Sequence, residues 1–378
     1  MQKCLKQRTK ITPVALTEAF RHIWQTEETQ EEWSMGLIMK LPKKGDLGNC
    51  NNWRGITLLS LSCKIFSRII LCRVRKAVDE TLRQEQAGFR KGKSCVDQIF
   101  TIRQILEQSK EWNSTVYATY VDFEKAFDSL HRDSLWKIMR HYGIPQKLVK
   151  ATQLLYTNFK SAVICENQLT EAFEIQTGVK QGCILSPFLF IMAIDWLMKT
   201  TTKGSQRGIR WTLMSCLEDL DFADDLSMLA SRHRDMQGKL NDLQKNGEKI
   251  GLKIHPGKTK VMKARSSVEQ PITLNGEDLE EVGKFVYLGS NIKADGDSET
   301  EVNTRIAKAS YTFAGLKPVW AANKISTKTK IRIYKTNVLS VLLYACETWK
   351  MTKNISHKLE VFHNRCLRKL YKIYRPQI

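Results

Sequence analysis

Hydrophobic and polar positions alternate with two periods along this chain, and the switches between them mark its elements. Val14, Leu16, Ala19, Phe20, Ile23 and Trp24 keep helical spacing and predict a helical lead-in over residues 11 to 33. Met35 to Pro42 reads as a strand, Lys43 to Asn52 as a polar loop, and Trp53 to Leu59 as the returning strand. A helix follows from Ser62 to about Leu82, with Ile65, Ile69, Leu71 and Val74 inward. The apolar run Val116 to Val121 is a buried strand that ends on Asp122. Beyond it, Leu135, Ile138, Met139 and Tyr142 predict a helix with Asp133 or Ser134 as N-cap and Gly143 as its stop. Pro145 opens the next helix, and strands follow near Ser161–Glu166 and Ala172–Thr177. A glycine-bearing loop from Gly178 then leads into a helix with Ser186 as N-cap and Pro187 as first residue. A hairpin around Asp224 and Asp225 and a polar helix from about Arg234 to Ile250 complete the central part. After Glu299 basic and apolar residues alternate at helical spacing.

Composition adds size and charge. The chain has 378 residues, 42% of them hydrophobic, enough for two or three subdomains with a sizeable core. Its 60 Lys and Arg outnumber 39 Asp and Glu, a net charge of +21, which favours a polyanionic partner. From Glu301 onward, 16 basic residues face 3 Glu and no Asp, with aromatics interleaved. That mixture suits a surface that tracks a nucleic-acid backbone. Ten cysteines without a CxxC pair read as free thiols in a reducing compartment. No signal peptide or membrane span is visible. Cys346, His357, His363 and Cys366 make a zinc site conceivable, but their spacing is irregular and Leu359, Phe362, Cys366, Leu367 and Leu370 form an ordinary apolar stripe.

The chemistry concentrates in Asp122 and in Asp224-Asp225, each beside an apolar strand. An unpaired carboxylate at the end of a buried strand is costly unless something requires it. Two Mg2+ ions held by carboxylates from neighbouring strands would supply that requirement and serve in-line phosphoryl transfer, with Asp225 the weaker, outer donor. An isolated Asp-Asp would be read as a polar hairpin tip. Joined by Asp122, the pair is read as a metal site.

Several ordered segments resemble the reverse transcriptases of non-LTR (LINE-like, RTE-type) retrotransposons. Asp122-Phe123-Glu124-Lys125-Ala126-Phe127-Asp128 and Phe222-Ala223-Asp224-Asp225 resemble the two aspartate motifs. Gln181-Gly182-Cys183-Ile184-Leu185-Ser186-Pro187 resembles the loop and helix that shape the nucleotide site. Leu41-Pro42-Lys43-Lys44-Gly45-Asp46, with Asn52-Trp53-Arg54-Gly55-Ile56, resembles the fingers hairpin. Gln86-Ala87-Gly88-Phe89-Arg90 resembles a segment that tracks the template. The stretches Gly251 to Lys260 and Phe285-Val286-Tyr287-Leu288-Gly289 resemble the closing palm motifs.

The resemblance, over about residues 34 to 293, implies an α+β right-hand polymerase. Its fingers would come mainly from residues 1–115, its palm from 116–300, and its basic helical thumb from 301–378. It implies RNA-directed DNA polymerase activity on an RNA template and a DNA primer, with dNTPs as substrates and two Mg2+, which Mn2+ would replace. Asp122, Asp224 and Asp225 would be catalytic metal ligands. Lys43 (or Lys44) and Arg54 would clamp the triphosphate, Phe127 would bar a ribose 2′-hydroxyl, and Gln181 and Gly182 would approach the nucleotide. Lys258 or Lys260 would protonate pyrophosphate. Gly88, Phe89 and Arg90, with Tyr287, Leu288 and Gly289, would touch template and primer. His255 stands where relatives commonly have Asn. The family's habit places the protein in the nucleus, with a cytoplasmic ribonucleoprotein as the other location. Without an endonuclease domain, the chain is expected to be a fragment or decayed copy of a longer element protein. The rivals are a group II intron-type reverse transcriptase and an inactive nucleic-acid-binding remnant.

Overall fold

The computed structural model describes residues 11–43, 45–166, 168–204, 206–212 and 215–373. Lys44 therefore lies outside the described residues. The N-terminal third contains α1 (Ile11–Thr26), β1 (Met35–Pro42), β2 (Trp53–Leu58), α2 (Leu61–Asp79) and α3 (Cys95–Glu111). The central part contains β3 (Val116–Val121), α4 (Arg132–His141), α5 (Gln146–Leu154), β4 (Lys160–Cys165), α6 (Ser186–Thr202), β5 (Asp219–Phe222), β6 (Asp225–Ala230), α7 (His233–Glu248) and β7 (Lys260–Ala264). A hairpin of β8 (Lys284–Tyr287) and β9 (Ser290–Lys293) precedes α8 (Glu299–Gly315), α9 (Thr327–Ile333) and α10 (Lys353–Tyr371).

The central sheet has the order β7-β3-β6-β5, with Glu280–Glu281 added beyond β7. Strand β3 lies between β6 and β7 and is antiparallel to both. Its alternation serves two cores. Val116, Ala118 and Tyr120 pack with Ile99, Ile102, Ile105 and Leu106 of α3, whereas Tyr117 and Val121 join the core built on α6 and α7. Both faces are covered, which is why this strand reads as a continuous apolar run. Helix α3 is held at its start by a reciprocal cap between Ser94 and Asp97. Helix α6 is buried almost all round, and Asp195 is the one acid inside it.

A second sheet pairs β1 with β2 antiparallel and with β4 parallel. Residues 160–174 thus return to the sheet begun at residue 35, although they fall within the expected palm span. Conversely α3, within the expected fingers span, packs against the central sheet. The two parts interleave along the chain, and a division by residue number cannot show that.

Local differences from the sequence reading have simple causes. In α2 Leu71 and Val74 are buried as expected, but the rest of the buried face runs through Phe66, Ile70 and Val78, and Ile69 is 37% exposed. Helix α4 begins at Arg132 after His131 as N-cap. Asp133 then sits in the first turn, favourable to the helix dipole, and Ser134 donates to Lys249 O at 3.1 Å. In α6 the cap is Leu185, because Ser186 is buried within the first turn with its Oγ 3.2 Å from Tyr156 Oη.

The C-terminal helices enclose a core of Phe313, Trp320, Tyr334, Phe362, Cys366 and Leu370. Most of the tail's aromatics serve packing, while Tyr311 is 84% exposed. Cys366 lies in that core and His363 Nδ1 is 2.9 Å from Tyr334 Oη. Among the described residues no three His, Cys, Asp or Glu side chains stand preassembled around a metal position, which corrects the zinc possibility and means that the aspartates described below are not a ready-made three-ligand cluster. No described helix is long and apolar enough to cross a membrane.

Candidate active site

Strands β5 and β6 meet through a two-residue turn, Ala223-Asp224, closed by the pair Phe222–Asp225. Ala223 takes the left-handed conformation, φ +59°, that such turns need. On the other side of β6, Leu226 pairs with Val121, so Asp122 comes level with Asp225. Asp122 at the end of β3, Asp224 in the turn and Asp225 at the start of β6 therefore lie at one end of the sheet. Although their tips reach solvent, the surrounding protein crowds the hairpin carboxyls. Burial, then repulsion from Asp224 and Asp122, pushes the Asp225 carboxyl up to about 6. Burial also raises Asp224, Asp122 adds to the rise, and Arg54 opposes it.

The main chain beyond β3 is tied to the loop before β7. His255 N donates to Asp122 O at 2.8 Å, and Asp122 N donates to Thr259 Oγ1 at 3.3 Å. Lys258 Nζ stands 3.9 Å from Asp122 Oδ1 and its side chain is 61% exposed. Lys260 instead bonds to Glu280 at 2.5 Å and Gly257 O at 2.9 Å, so Lys258 is the member of this pair that faces the carboxylates.

The nucleotide-site candidates converge from three directions. Thr57 N of β2 donates to Gln181 O at 2.6 Å. Gly182, at φ +119°, lies so close that a Cβ there would be 2.4 Å from Thr57 O. Only glycine permits that approach. Gln181 Nε2 reaches Asp128 Oδ1 at 3.3 Å, and Lys43 contributes positive potential to the same, burial-raised Asp128 carboxyl. The Phe127 ring is half-buried and stacks on Phe190 of α6 at 4.2 Å and 15°.

The template and primer candidates fare differently. Phe89 is 49% exposed at φ +54°, with Arg75 donating to its carbonyl at 2.8 Å. Arg90 is corrected. Its side chain is 5% exposed, and four of its five N–H donors go inward, to Asp79 Oδ1 at 2.8 Å, Asp79 O at 2.8 Å, Gln86 O at 3.0 Å and Arg83 O, so it is turned away from a phosphate. Gly88 faces the Asp224 turn. Tyr287 is likewise corrected, since it is buried against Tyr120 and donates to Leu220 O at 3.2 Å. Leu288 and Gly289 form the β8–β9 turn, whose carbonyls accept from Tyr344 Oη at 2.8 Å and from Arg305. The C-terminal helices thus hold this turn from behind.

Sequence reasoning missed the layer beneath the carboxylates. Arg83 sits 2.6 Å from Asp219, against Asp221, and 3.3 Å from Asp195. A signal was present: Asp219-Leu220-Asp221 puts two acids on one face of an otherwise apolar strand, which calls for a buried cation.

A helix-backed sheet with paired aspartates on a hairpin, accompanied by a second sheet built on the β1–β2 hairpin, defines the palm and fingers of a right-hand polymerase. The model of the reverse transcriptase (RNA-dependent DNA polymerase) family matches residues 41–292, and the chain belongs to that family. A domain of unknown function also matches residues 312–344. The probable RNA-directed DNA polymerase from transposon BS of Drosophila melanogaster is 26% identical over 89% of this chain and 38% of its own length. The RNA-directed DNA polymerase from mobile element jockey of Drosophila funebris is 23% identical over 89% of this chain and 37% of its own. The chain therefore spans well under half of these relatives. Among solved structures, apo telomerase from Candida tropicalis matches with TM-score 0.53 and 15% identity over 91% of this chain and 64% of that chain, a likeness of fold alone.

Proposed function

We propose that this chain is an RNA-directed DNA polymerase of the non-LTR retrotransposon kind, adding dNTPs to a primer 3′-hydroxyl on an RNA template. The convergence of Asp122, Asp224 and Asp225, mutually repelling at the open end of the sheet, is the observation that carries this reading. Hard carboxylate oxygens fit Mg2+, or Mn2+ in its place, and one or two suffice because waters and substrate phosphates complete its coordination. When bound, such ions supply charge neutralisation for in-line displacement of pyrophosphate.

The remaining roles belong to the chain's own side chains. Arg54 and Lys43 hold the triphosphate as fork and point charge. Lys258, beside Asp122, is placed to give a proton to pyrophosphate. Gln181 and Gly182 bring backbone against the incoming nucleotide, and Phe127, braced by Phe190, fills the space a 2′-hydroxyl would need.

Primer extension on an RNA template tests the reading: wild type extends with dNTPs and not rNTPs, and failure with both sinks it. In the same assay Phe127→Val is expected to lower the preference for dNTP over rNTP by roughly 10- to 100-fold. An unchanged preference would leave Phe127 a packing residue.

The raised Asp225 carboxyl has a signed consequence. Its neutral form is favoured by folding, so its contribution to stability is present below pH 3.8 and lost as pH rises through about 6. Cation binding needs the charged form, so Mn2+ affinity is expected to fall by at least about tenfold from pH 7.5 to pH 5. Titration of Mn2+ by electron paramagnetic resonance checks this, and a flat profile would contradict the assignment of Asp225.

A further inference from the structure

Residues 83 to 90 run beneath the Asp224 turn outside any helix or strand, apart from one bridge at Gln86. They are tied to the hairpin at three successive levels. Arg83 grips Asp219 and Asp221 of β5 and Asp195 of α6. The main chain then pairs with β5, where Asp221 N donates to Glu85 O at 3.2 Å and Ala87 N donates to Asp221 O at 2.9 Å. Finally, the buried Gln86 Oε1 accepts from Ala223 N at 3.1 Å and from Gly88 N at 2.8 Å. Both partners are N–H donors, so only the carbonyl end of the amide serves there. Gly88 closes the contact, since a Cβ on it would stand 2.2 Å from Ala223 N.

The residue seized in this way is the one before Asp224. Ala223 has the left-handed conformation that alanine disfavours, and a free turn would relax from it. Asp224, at the tip, has no strand partner, so the Ala223 backbone determines where its carboxylate sits. Apart from the exposed Gln84 and Phe89, the segment turns inward. Arg90 spends its guanidinium on Asp79 and on carbonyls of the same segment.

We propose that Arg83, Gln86 and Gly88 are positioning residues: a strap that sets the Asp224 carboxylate at its distance from Asp122. The inference rests on the polymerase reading above and deepens it. It reassigns a segment expected to follow the template, leaving only Phe89 exposed toward that role.

The full chain is compared with Gly88→Ala, Gln86→Met and Gly92→Ala. Gly92 lies in the same loop with open space around it but at φ +77°, so an alanine there strains the loop backbone without meeting the Ala223 turn and controls for loop strain. Single-nucleotide addition is expected to slow in kcat by about 100-fold for Gly88→Ala and about tenfold for Gln86→Met. The KM for dNTP and the affinity for primer–template should stay within about twofold of wild type, and Gly92→Ala should keep kcat. Mn2+ affinity should weaken in the two strap variants while thermal unfolding remains cooperative. If Gly88→Ala does not fold, the near-isosteric Gln86→Met decides. Wild-type kcat and Mn2+ affinity in folded Gly88→Ala or Gln86→Met overturn the strap, as does an equal loss of kcat in Gly92→Ala. An inert wild type defeats the polymerase reading separately. The Mn2+ affinities then decide the strap alone, weakened binding supporting it and equal binding overturning it.

Discussion

An Asp224→Asn chain is expected to bind primer–template as wild type does and to extend it at least about 1000-fold more slowly. The substitution preserves the size of a side chain at the tip of a tight turn and leaves Ala223 and its contact with Gln86 untouched. What changes is one negative charge among three. Asp224 is the largest cause after burial of the rise at Asp225, so the Asp225 carboxyl should fall from about 6 toward the ordinary range. Arg54, whose potential opposes the rise at Asp224, loses a nearby anion. A site that held divalent cations through mutually repelling carboxylates would be left with a weaker field and one donor fewer. Primer extension in parallel with a binding assay is the check. Persisting synthesis would remove Asp224 from the chemistry, whereas weakened primer binding would assign it a structural role.

How much of this was legible in the sequence depends on what kind of contact each residue makes. Asp122 and Asp224 were legible because a carboxylate beside an apolar strand is anomalous within a few residues of sequence. The strands β3 and β6 were legible for the same local reason, their period. Local pattern did not show that residues 160–164 cross back to pair with β1, since a parallel pairing over more than a hundred residues leaves no mark in the intervening chain. The fates of Arg90 and Tyr287 were hidden too. A motif shows that a residue is present, but its partners 3 Å away decide whether an arginine faces a phosphate or an internal carbonyl. Arg83 is the instructive case: its three acids lie far along the chain at residues 195, 219 and 221, and only folding brings them to one cation.

That cation carries the largest stability effect expected in the molecule. Arg83→Leu should destabilise the fold by about 3–5 kcal/mol, the cost of removing one partner from a buried ionic cluster. The carboxylates are unequally exposed to the loss. Asp195 keeps Tyr142 Oη at 2.5 Å and Lys199 at 2.9 Å, so it remains satisfied. Asp219 and Asp221 have no such substitutes, and each already has an Oδ1 without a partner. Burial and the adjacent Asp219 already hold the Asp221 carboxyl well above the usual range, against the pull of Arg83. Losing the guanidinium should raise it further, so the stability linked to its proton persists to higher pH before it is lost. The variant's loss of stability with rising pH should therefore extend to higher pH than the wild type's. Arg83→Lys should fall between the two, because a point charge cannot span carboxylates on β5 and α6 together. Urea unfolding of Arg83→Leu, alone and combined with Asp219→Asn and Asp221→Asn, decides the matter. Recovery of much of the loss in the combined variant shows that stranded charge was the cause. Equal midpoints with and without the Asn substitutions would instead make Arg83 a packing residue whose aliphatic stem, not its charge, holds the palm together.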